Sequence, residues 1–194
     1  MLERVVAGLL LLPLSLPLAG IALVIWIIDR QTPLYLADRI ALDGRQFRQV
    51  KLRTMRTGRD ATSAITVRDD PRVTKVGRFL RNAKLDELPQ LWNIMRGEMG
   101  VFGPRPEAPE NVRLYPPQAL GLLKLKPGLV SPSSLRFARE EELVDPVSWE
   151  DSYRRLIAEK AEIDCAYFAN SSWPDHARFM LRVVRQMLSG WSAH

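Results

Sequence analysis

Residues 5–28 read VVAGLLLLPLSLPLAGIALVIWII, 24 positions without a charged side chain. At 1.5 Å rise per residue the run reaches roughly 36 Å as a helix, against about 30 Å for a bilayer's hydrocarbon core. Pro13 and Pro17 each remove a backbone donor and collide with the preceding turn. The pair therefore predicts a bend in mid-segment, with Ser15 between them able to bond a freed carbonyl. Two membrane arrangements follow, a re-entrant helix-break-helix over residues 1–30 and a full span. A cleaved signal peptide fits worse, because the residues before the run include Glu3 and Arg4 and no A-x-A site follows it.

Outward from this segment the chain turns basic. Between Arg30 and Arg59 stand Arg30, Arg39, Arg45, Arg48, Lys51, Arg53, Arg56 and Arg59, against Asp38 and Asp43. That asymmetry predicts a cytoplasmic position for the flanking residues. The 194 residues carry a net charge of +6, with 46% hydrophobic and 26% charged side chains. Located in this way, the composition excludes a simple cytosolic globule, and with it disorder, collagen and disulfide scaffolds. Cys165 is the one cysteine and has no partner for an internal disulfide, and no CxxC or histidine cluster offers a zinc site. A basic surplus suits anionic headgroups or phosphate-bearing substrates. No helix-turn-helix, zinc-finger or aromatic RNP pattern accompanies it, so no nucleic-acid partner is expected.

Residues 34–55, LYLADRIALDGRQFRQVKLRTM, alternate apolar and polar around Asp43-Gly44, which predicts a short β-hairpin. Residues 59–70 lack periodicity and read as loop, ended by the Asp70-Pro71 turn. Thr74 is placed to cap a helix running to about Asn82, with Val76, Phe79 and Leu80 on its buried side. Arg72, Lys75, Arg78, Arg81 and Lys84 recur every third residue. For the first three, a solvated face or headgroup contact is the simplest reading.

A second helix is expected from Asp86-Glu87 to Arg96. Leu88, Leu91, Trp92 and Met95 form its apolar stripe, Pro89 falls in its first turn and Gly97 is its C-cap. Two adjacent carboxylates then stand at a helix N-terminus, where the partial positive charge lowers a carboxylate pKa and keeps it ready as nucleophile or metal ligand. Taken alone, Asp86 as N-cap and Glu87 as dipole partner explain the pair as well. Next comes Val101-Phe102-Gly103-Pro104-Arg105-Pro106-Glu107, in which two prolines bracket one arginine. That bracketing suits a guanidinium that has to meet a phosphate or a flat ring in one orientation.

Together, KLRTM at 51–55, DDPRVTKVGRFLRNAKLDELPQLWNIMRGEMG at 69–100 and VFGPRPE at 101–107 resemble the bacterial sugar transferases, monotopic phosphoglycosyl transferases that begin glycan assembly on a polyprenol phosphate. The resemblance extends over about the whole chain, including the proline-bent apolar segment and the Thr32-Pro33 turn. With no long domain before residue 1, it is closest in form to the small members that are the catalytic unit alone. It implies Asp86 as nucleophile and Glu87 as its neighbour in metal and proton handling, both holding Mg²⁺. Arg81 would hold a phosphate, and Pro104, Arg105 and Pro106 would help form the nucleotide pocket. Lys51 and Arg53 match the family's basic motif, while Arg136 and Arg139 are candidate phosphate or uracil contacts.

The implied reaction moves a sugar-1-phosphate from a UDP-sugar to undecaprenyl phosphate through a phosphosugar on aspartate, releasing UMP. A non-catalytic membrane-anchored scaffold for glycan assembly and a lipid-diphosphate phosphatase are the alternatives. The chain departs from the family pattern at Leu16, where a serine commonly precedes the bend proline, and at LVSPSSLRFAREEEL (129–143), where a tryptophan-containing segment is usual. The fold expected is mainly α with a short β-hairpin (α+β). A re-entrant membrane segment (1–30) would precede a compact catalytic domain (31–194) on the cytoplasmic face of the bacterial inner membrane. HARFMLRVVRQMLSGW (176–191) sets Met180, Val183, Val184, Met187, Leu188 and Trp191 on one helical face and Arg178, Arg182 and Arg185 on another. That helix could lie in the membrane interface, pack on the core or mediate a homodimer. Membrane lipid and downstream glycosyltransferases complete the expected partners.

Overall fold

A computed structural model describes residues 1–56, 70–138, 143–145 and 148–188, apart from the side chains of 187 and 188. The loop expected at 59–70 therefore lies almost wholly outside the described residues, as do Arg139, the run 140–142 and Trp191. The molecule is mainly helical with two small sheets, as the α+β reading expects.

The apolar segment forms α1 (Leu2–Asp29), closed by Arg30 in the left-handed region at φ 55°. Pro13 and Pro17 both sit inside it, so the expected break is absent and one helix continues through both prolines. The proline rings leave the carbonyls of Leu9 and Pro13 without their i+4 amides. Ser15 relieves neither, since its hydroxyl donates to the Leu12 carbonyl at 2.6 Å. Ala7, Leu11, Leu14, Leu18, Ile21 and Ile25 fall at alternating spacings of four and three, which keeps them on one stripe. The first three pack among Phe47, Leu91, Ile94 and Met99. Leu18, Ile21 and Ile25 pack against Leu52 and Leu80. Both ends are also fastened. The Arg4 guanidinium lies against Gly97, and the Asp29 carboxylate accepts from the Thr74 hydroxyl at 2.8 Å. The other face, with Leu9, Leu12, Leu16, Trp26 and Ile28, is exposed. By length and composition this helix could cross a membrane.

The hairpin forms as expected. Strands β1 (Leu34–Ile40) and β2 (Gln46–Leu52) pair antiparallel from Leu34↔Leu52 to Ile40↔Gln46. Asp43 and Gly44 turn the chain at φ 58° and 76°. The outer edge of β2 is closed by a side chain. Asn93 accepts from Val50 N–H at 2.9 Å and donates to the Arg48 carbonyl at 2.7 Å, standing in for a third strand. Its buried carboxamide also donates to Glu98 at 2.7 Å.

Helix α2 (Lys75–Asn82) is capped by the Thr74 hydroxyl, which accepts from Gly77 N–H at 2.8 Å. Leu80 is buried, but Phe79 is 66% exposed, contrary to the stripe expected for it. The reason is the direction of approach: α2 rests on Thr54 through Gly77, where a Cβ would strike the Thr54 backbone, and this turns Phe79 outward. The following segment is not one helix. Lys84 adopts φ 54°, a 3₁₀ turn covers Leu85–Gln90, and α3 occupies only Leu91–Arg96. Pro89 thus lies within the 3₁₀ turn, before α3 begins. Gly97 closes α3 at φ 82°, as expected. Trp92 points outward at 46% exposure, and Asn93 and Ile94 take the buried side that periodicity had given it.

A short parallel pair, β3 (Gly100–Phe102) and β4 (Gly128–Val130), sits beyond α3. Gly103 and Gly128 cross so closely that a Cβ on Gly128 would overlap the Gly103 backbone. Between these strands lie α4 (Pro109–Val112) and a 3₁₀ segment (Pro117–Lys124). After β4 come α5 (Pro132–Arg136), α6 (Trp149–Asn170) and α7 (Trp173–Leu188). Leu114, Ala119, Leu122, Tyr153, Leu156 and Ile157 make a third core under α6. Phe179 and Val183 of α7 are buried, and His176 stacks on Phe102 with centroids 4.6 Å apart. This corrects the face assigned to α7: its inner side is His176, Phe179 and Val183, while Val184 and Leu181 are exposed.

Replacing Asn93 by alanine would leave the Val50 N–H and Arg48 carbonyl, both part-buried, without their partner. A loss of about 2–3 kcal/mol is expected, seen as a melting temperature lower by roughly 5–10 °C in detergent. An unchanged melting temperature would refute the edge-capping role.

Candidate active site

Asp86 and Glu87 lie on the 3₁₀ turn (Leu85–Gln90), which presents successive residues toward β2 and toward the loop after β3. Its entry depends on Lys84, a non-glycine residue in the left-handed region, which swings the chain sharply away from α2. Three segments then converge on Glu87. Arg105 Nη2 is 2.9 Å from Glu87 Oε1, and Lys51 Nζ of β2 is 3.9 Å from the same oxygen. Lys51 and Glu87 side chains are only 14% and 15% exposed, so water screens this cluster weakly.

Asp86 is 8% exposed, and its Oδ1 has no hydrogen-bond partner. The charges of Lys51, Arg81 and Lys84 act on it, and those of Arg105, Lys51 and Lys84 act on Glu87. Four cations thus surround two carboxylates, a surplus that favours an anionic ligand. Arg81, on the last turn of α2, is aimed by Thr54: its Nε donates to the Thr54 hydroxyl at 3.0 Å, with Met55 Sδ against Nη2. The Lys84 ammonium reaches the Ala138 carbonyl at 3.4 Å, joining the turn to the end of α5.

The two carboxyls titrate differently. Burial pushes Glu87 upward, but Arg105, Lys51 and Lys84 outweigh it and bring it down to about 2. Asp86 is shifted upward, first by burial and then by the charge of Glu87, with the cations offsetting only part of this. That reverses the expectation of a lowered Asp86. The helix that was to supply the positive end starts at Leu91, five residues too late, and desolvation decides instead. Lys51 is lowered to about 7, by burial first and by Arg105 next, with Glu87 opposing.

Among the described residues no three His, Cys, Asp or Glu side chains form a metal cage. The site offers instead two adjacent carboxylates and one buried, unpartnered oxygen, Asp86 Oδ1. This donor set suits a hard cation that takes few protein ligands and completes its shell with phosphate oxygens and water.

The remaining candidates separate. Pro104 and Pro106 bracket Arg105, and the loop is pinned where Gly128 N–H donates to the Pro104 carbonyl at 3.0 Å. Arg53 is spent on architecture. It donates to the Thr32 carbonyl and hydroxyl and to the Leu34 carbonyl at 2.7, 2.9 and 3.2 Å, and it lies over the Tyr35 ring, fastening the turn after α1. Arg136 lies over Phe137 and lines a groove with Arg182 and Phe179. Arg72 pairs with Asp70 at 2.6 Å. Not anticipated was a buried amide relay beside Lys51: Arg39 donates to Gln49, and Gln49 Nε2 donates to Gln90 Oε1 at 2.9 Å. Phe47, Gln49 and Lys51 share one face of β2, a period-two signal masked by its mixed polarity.

A family model for bacterial sugar transferases matches residues 1–190. The chain belongs to this family. Curated relatives agree with the assignment. A Komagataeibacter xylinus protein named undecaprenyl-phosphate glucose phosphotransferase is 33% identical over 190 residues, covering 93% of this chain and 34% of the relative. One named UDP-glucose:undecaprenyl-phosphate glucose-1-phosphate transferase, from Caulobacter vibrioides, is 34% identical over 197 residues, covering 98% and 70%. The exopolysaccharide production protein ExoY of Rhizobium meliloti is 42% identical over 107 residues, covering 47% of each chain. The chain thus spans about a third of the first relative and about half of the last.

The folded pKa of Glu87, about 2, lies below its ordinary 4.5. The unfolded chain therefore takes up this proton first, and the stability Glu87 contributes is present above about pH 4.5 and lost as pH falls toward 2. Unfolding measured against pH for the protein and for Glu87→Gln is expected to give a difference that shrinks as pH falls from about 4.5 toward 2. A difference independent of pH would exclude the ionised cluster.

Proposed function

We propose that the protein transfers a sugar-1-phosphate from a UDP-sugar to undecaprenyl phosphate, and that Asp86 is the nucleophile. The observation that carries the reading is Asp86 itself, a buried carboxylate with an unpartnered oxygen beside ionised Glu87 and inside a ring of cations. An Asp86 oxygen attacks the phosphorus bonded to the sugar, the bond from that phosphorus to the UMP oxygen breaks, and UMP leaves. The phosphosugar is then held on Asp86 as an acyl phosphate. An oxygen of undecaprenyl phosphate attacks the same phosphorus, the bond to Asp86 breaks, and polyprenol diphosphate sugar is released with the carboxylate restored. Such a product is the substrate class that downstream glycosyltransferases extend.

The side chains divide the work by charge. Arg105 holds the diphosphate of the donor, Arg81 stabilises the equatorial oxygens during each displacement, and Glu87, kept ionised, orients Arg105 and Lys51. With its carboxyl at about 2, Glu87 is suited to hold cations rather than protons. Asp86 and Glu87 would hold Mg²⁺, which when bound supplies neutralisation of the diphosphate charge.

The membrane placement follows from α1. Its exposed apolar face has no aqueous partner, and a lipid acceptor requires a site at headgroup depth. That both ends of α1 are fastened to the same domain, Arg4 at Gly97 and Asp29 at Thr74, supports a monotopic protein with residue 1 on the domain's side. The basic stretch from Arg30 supports the cytoplasmic face of the inner membrane.

The test is UMP release by detergent-solubilised protein given Mg²⁺, undecaprenyl phosphate and a panel of UDP-sugars. UMP from one sugar, abolished by EDTA and reduced at least 10³-fold in Asp86→Asn, is expected. Turnover retained in folded Asp86→Asn would overturn the nucleophile, and no UMP from any sugar would favour a scaffold. A tag at residue 1 is expected to be reached only from the cytoplasm, and labelling from the periplasm would overturn the monotopic placement.

A further inference from the structure

Glu107 ends the Pro-Arg-Pro loop and touches neither Asp86 nor Glu87 in any described contact, yet its fastening is the densest in the loop. Its Oε2 accepts from the Tyr153 hydroxyl of α6 at 2.6 Å. Its Oε1 accepts from Ala108 N–H at 3.0 Å and from Asn111 Nδ2 of α4 at 3.2 Å. Its backbone carbonyl accepts from Ile40 N–H at the end of β1, at 2.9 Å. One residue therefore joins the hairpin, the loop, α4 and α6. Tyr153 is 5% exposed and belongs to the third core, so the far end of this tie is anchored in packed structure.

The other end of the loop is held as firmly. Gly103 N–H donates to the Val130 carbonyl at 3.2 Å and Gly128 N–H to the Pro104 carbonyl at 3.0 Å. Arg105 thus rides on a three-residue span between two clamps. The flanking prolines fix φ at 104 and 106 and leave ψ free, so the clamps set where the backbone delivers the Arg105 side chain, whose guanidinium meets Glu87 at 2.9 Å. We propose that Glu107, held by Tyr153, is a positioning residue that fixes the Arg105 guanidinium for the diphosphate of the nucleotide-sugar donor.

This inference rests on the transferase reading. A group that aims a donor-binding arginine affects capture of the donor and leaves the lipid acceptor untouched. A group that merely supports the fold changes the fraction of active protein, which lowers kcat and moves neither KM. Tyr153→Phe keeps the ring in the core and removes the 2.6 Å tie, and Glu107→Gln keeps the shape and weakens the acceptor. With UMP release followed at varied UDP-sugar and varied undecaprenyl phosphate, both variants are expected to raise the donor KM about 3–10-fold. The acceptor KM should stay within twofold. On an Arg105→Lys background, Tyr153→Phe is expected to add less than twofold, because its effect runs through the guanidinium already changed.

An unchanged donor KM, equal rises in both KM values, or full multiplication on the Arg105→Lys background would each overturn the positioning role. If Tyr153→Phe fails to fold, Glu107→Gln decides by the same ratios. Wild-type protein that releases no UMP from any UDP-sugar would overturn the transferase reading and this role with it, whereas active wild type with unaltered variants overturns the positioning role alone.

Discussion

A single carboxylate, that of Glu87, is the point on which three distant stretches of chain depend. Lys51 comes from the hairpin and Arg105 from the loop after β3, and both address the same oxygen. Inside protein such a cluster is costly unless every charge is balanced, since taking ions out of water costs several kcal/mol each. The rest of the structure provides that balance by rigid delivery. Asn93 locks β2 against α3, the Gly103–Gly128 crossing holds the loop, and the left-handed Lys84 turns the carboxylates into place. The first two devices lie away from the carboxylates and the third immediately before them, and each serves to bring the charges together.

The same arrangement separates the roles of two neighbours that look alike in sequence. Glu87 sits within direct reach of two cations and is held ionised. Asp86 feels its cations at longer range, so that burial and the charge of Glu87 prevail over them, and it keeps one oxygen free. Adjacent positions on a 3₁₀ turn point about 120° apart, so one carboxylate faces the ion cluster while the other faces elsewhere. The contrast between a satisfied carboxylate and a frustrated one is what singles out Asp86 as the proposed nucleophile.

Much of this was legible beforehand, and the failures have physical causes. The hairpin at Asp43-Gly44, the Thr74 cap and the Gly97 cap were readable because each depends on local backbone chemistry. Phe79 and Trp92 were misplaced because periodicity reports only which residues can share a face. Which face is buried was decided by Gly77 resting on Thr54 and by Asn93 seeking the β2 edge. The start of α3 was missed because nothing short-range marks a lysine in the left-handed region. The motif residues Asp86, Glu87, Arg81, Lys51 and Arg105 do come together, but Arg53 does not join them. Its partners at Thr32 and Leu34 lie about twenty residues away, beyond any local pattern.

The stripe on α1 has a bearing on how the chain is made. Ala7, Leu11 and Leu14 find most of their partners only when Leu91, Ile94 and Met99 have been synthesised, some seventy residues after α1 itself is complete. At ordinary elongation rates of about 5–20 residues per second, that interval is roughly 4–14 s. During it a 28-residue apolar helix has only part of its protein seam to lie against. For the membrane placement proposed above, the bilayer would be a holding place as well as a destination: lipid would cover both sides of the nascent helix, and the domain would later displace it from one side only. Assembly of the chain would then end with an exchange of solvents along a single seam, between hydrocarbon and the side chains that replace it.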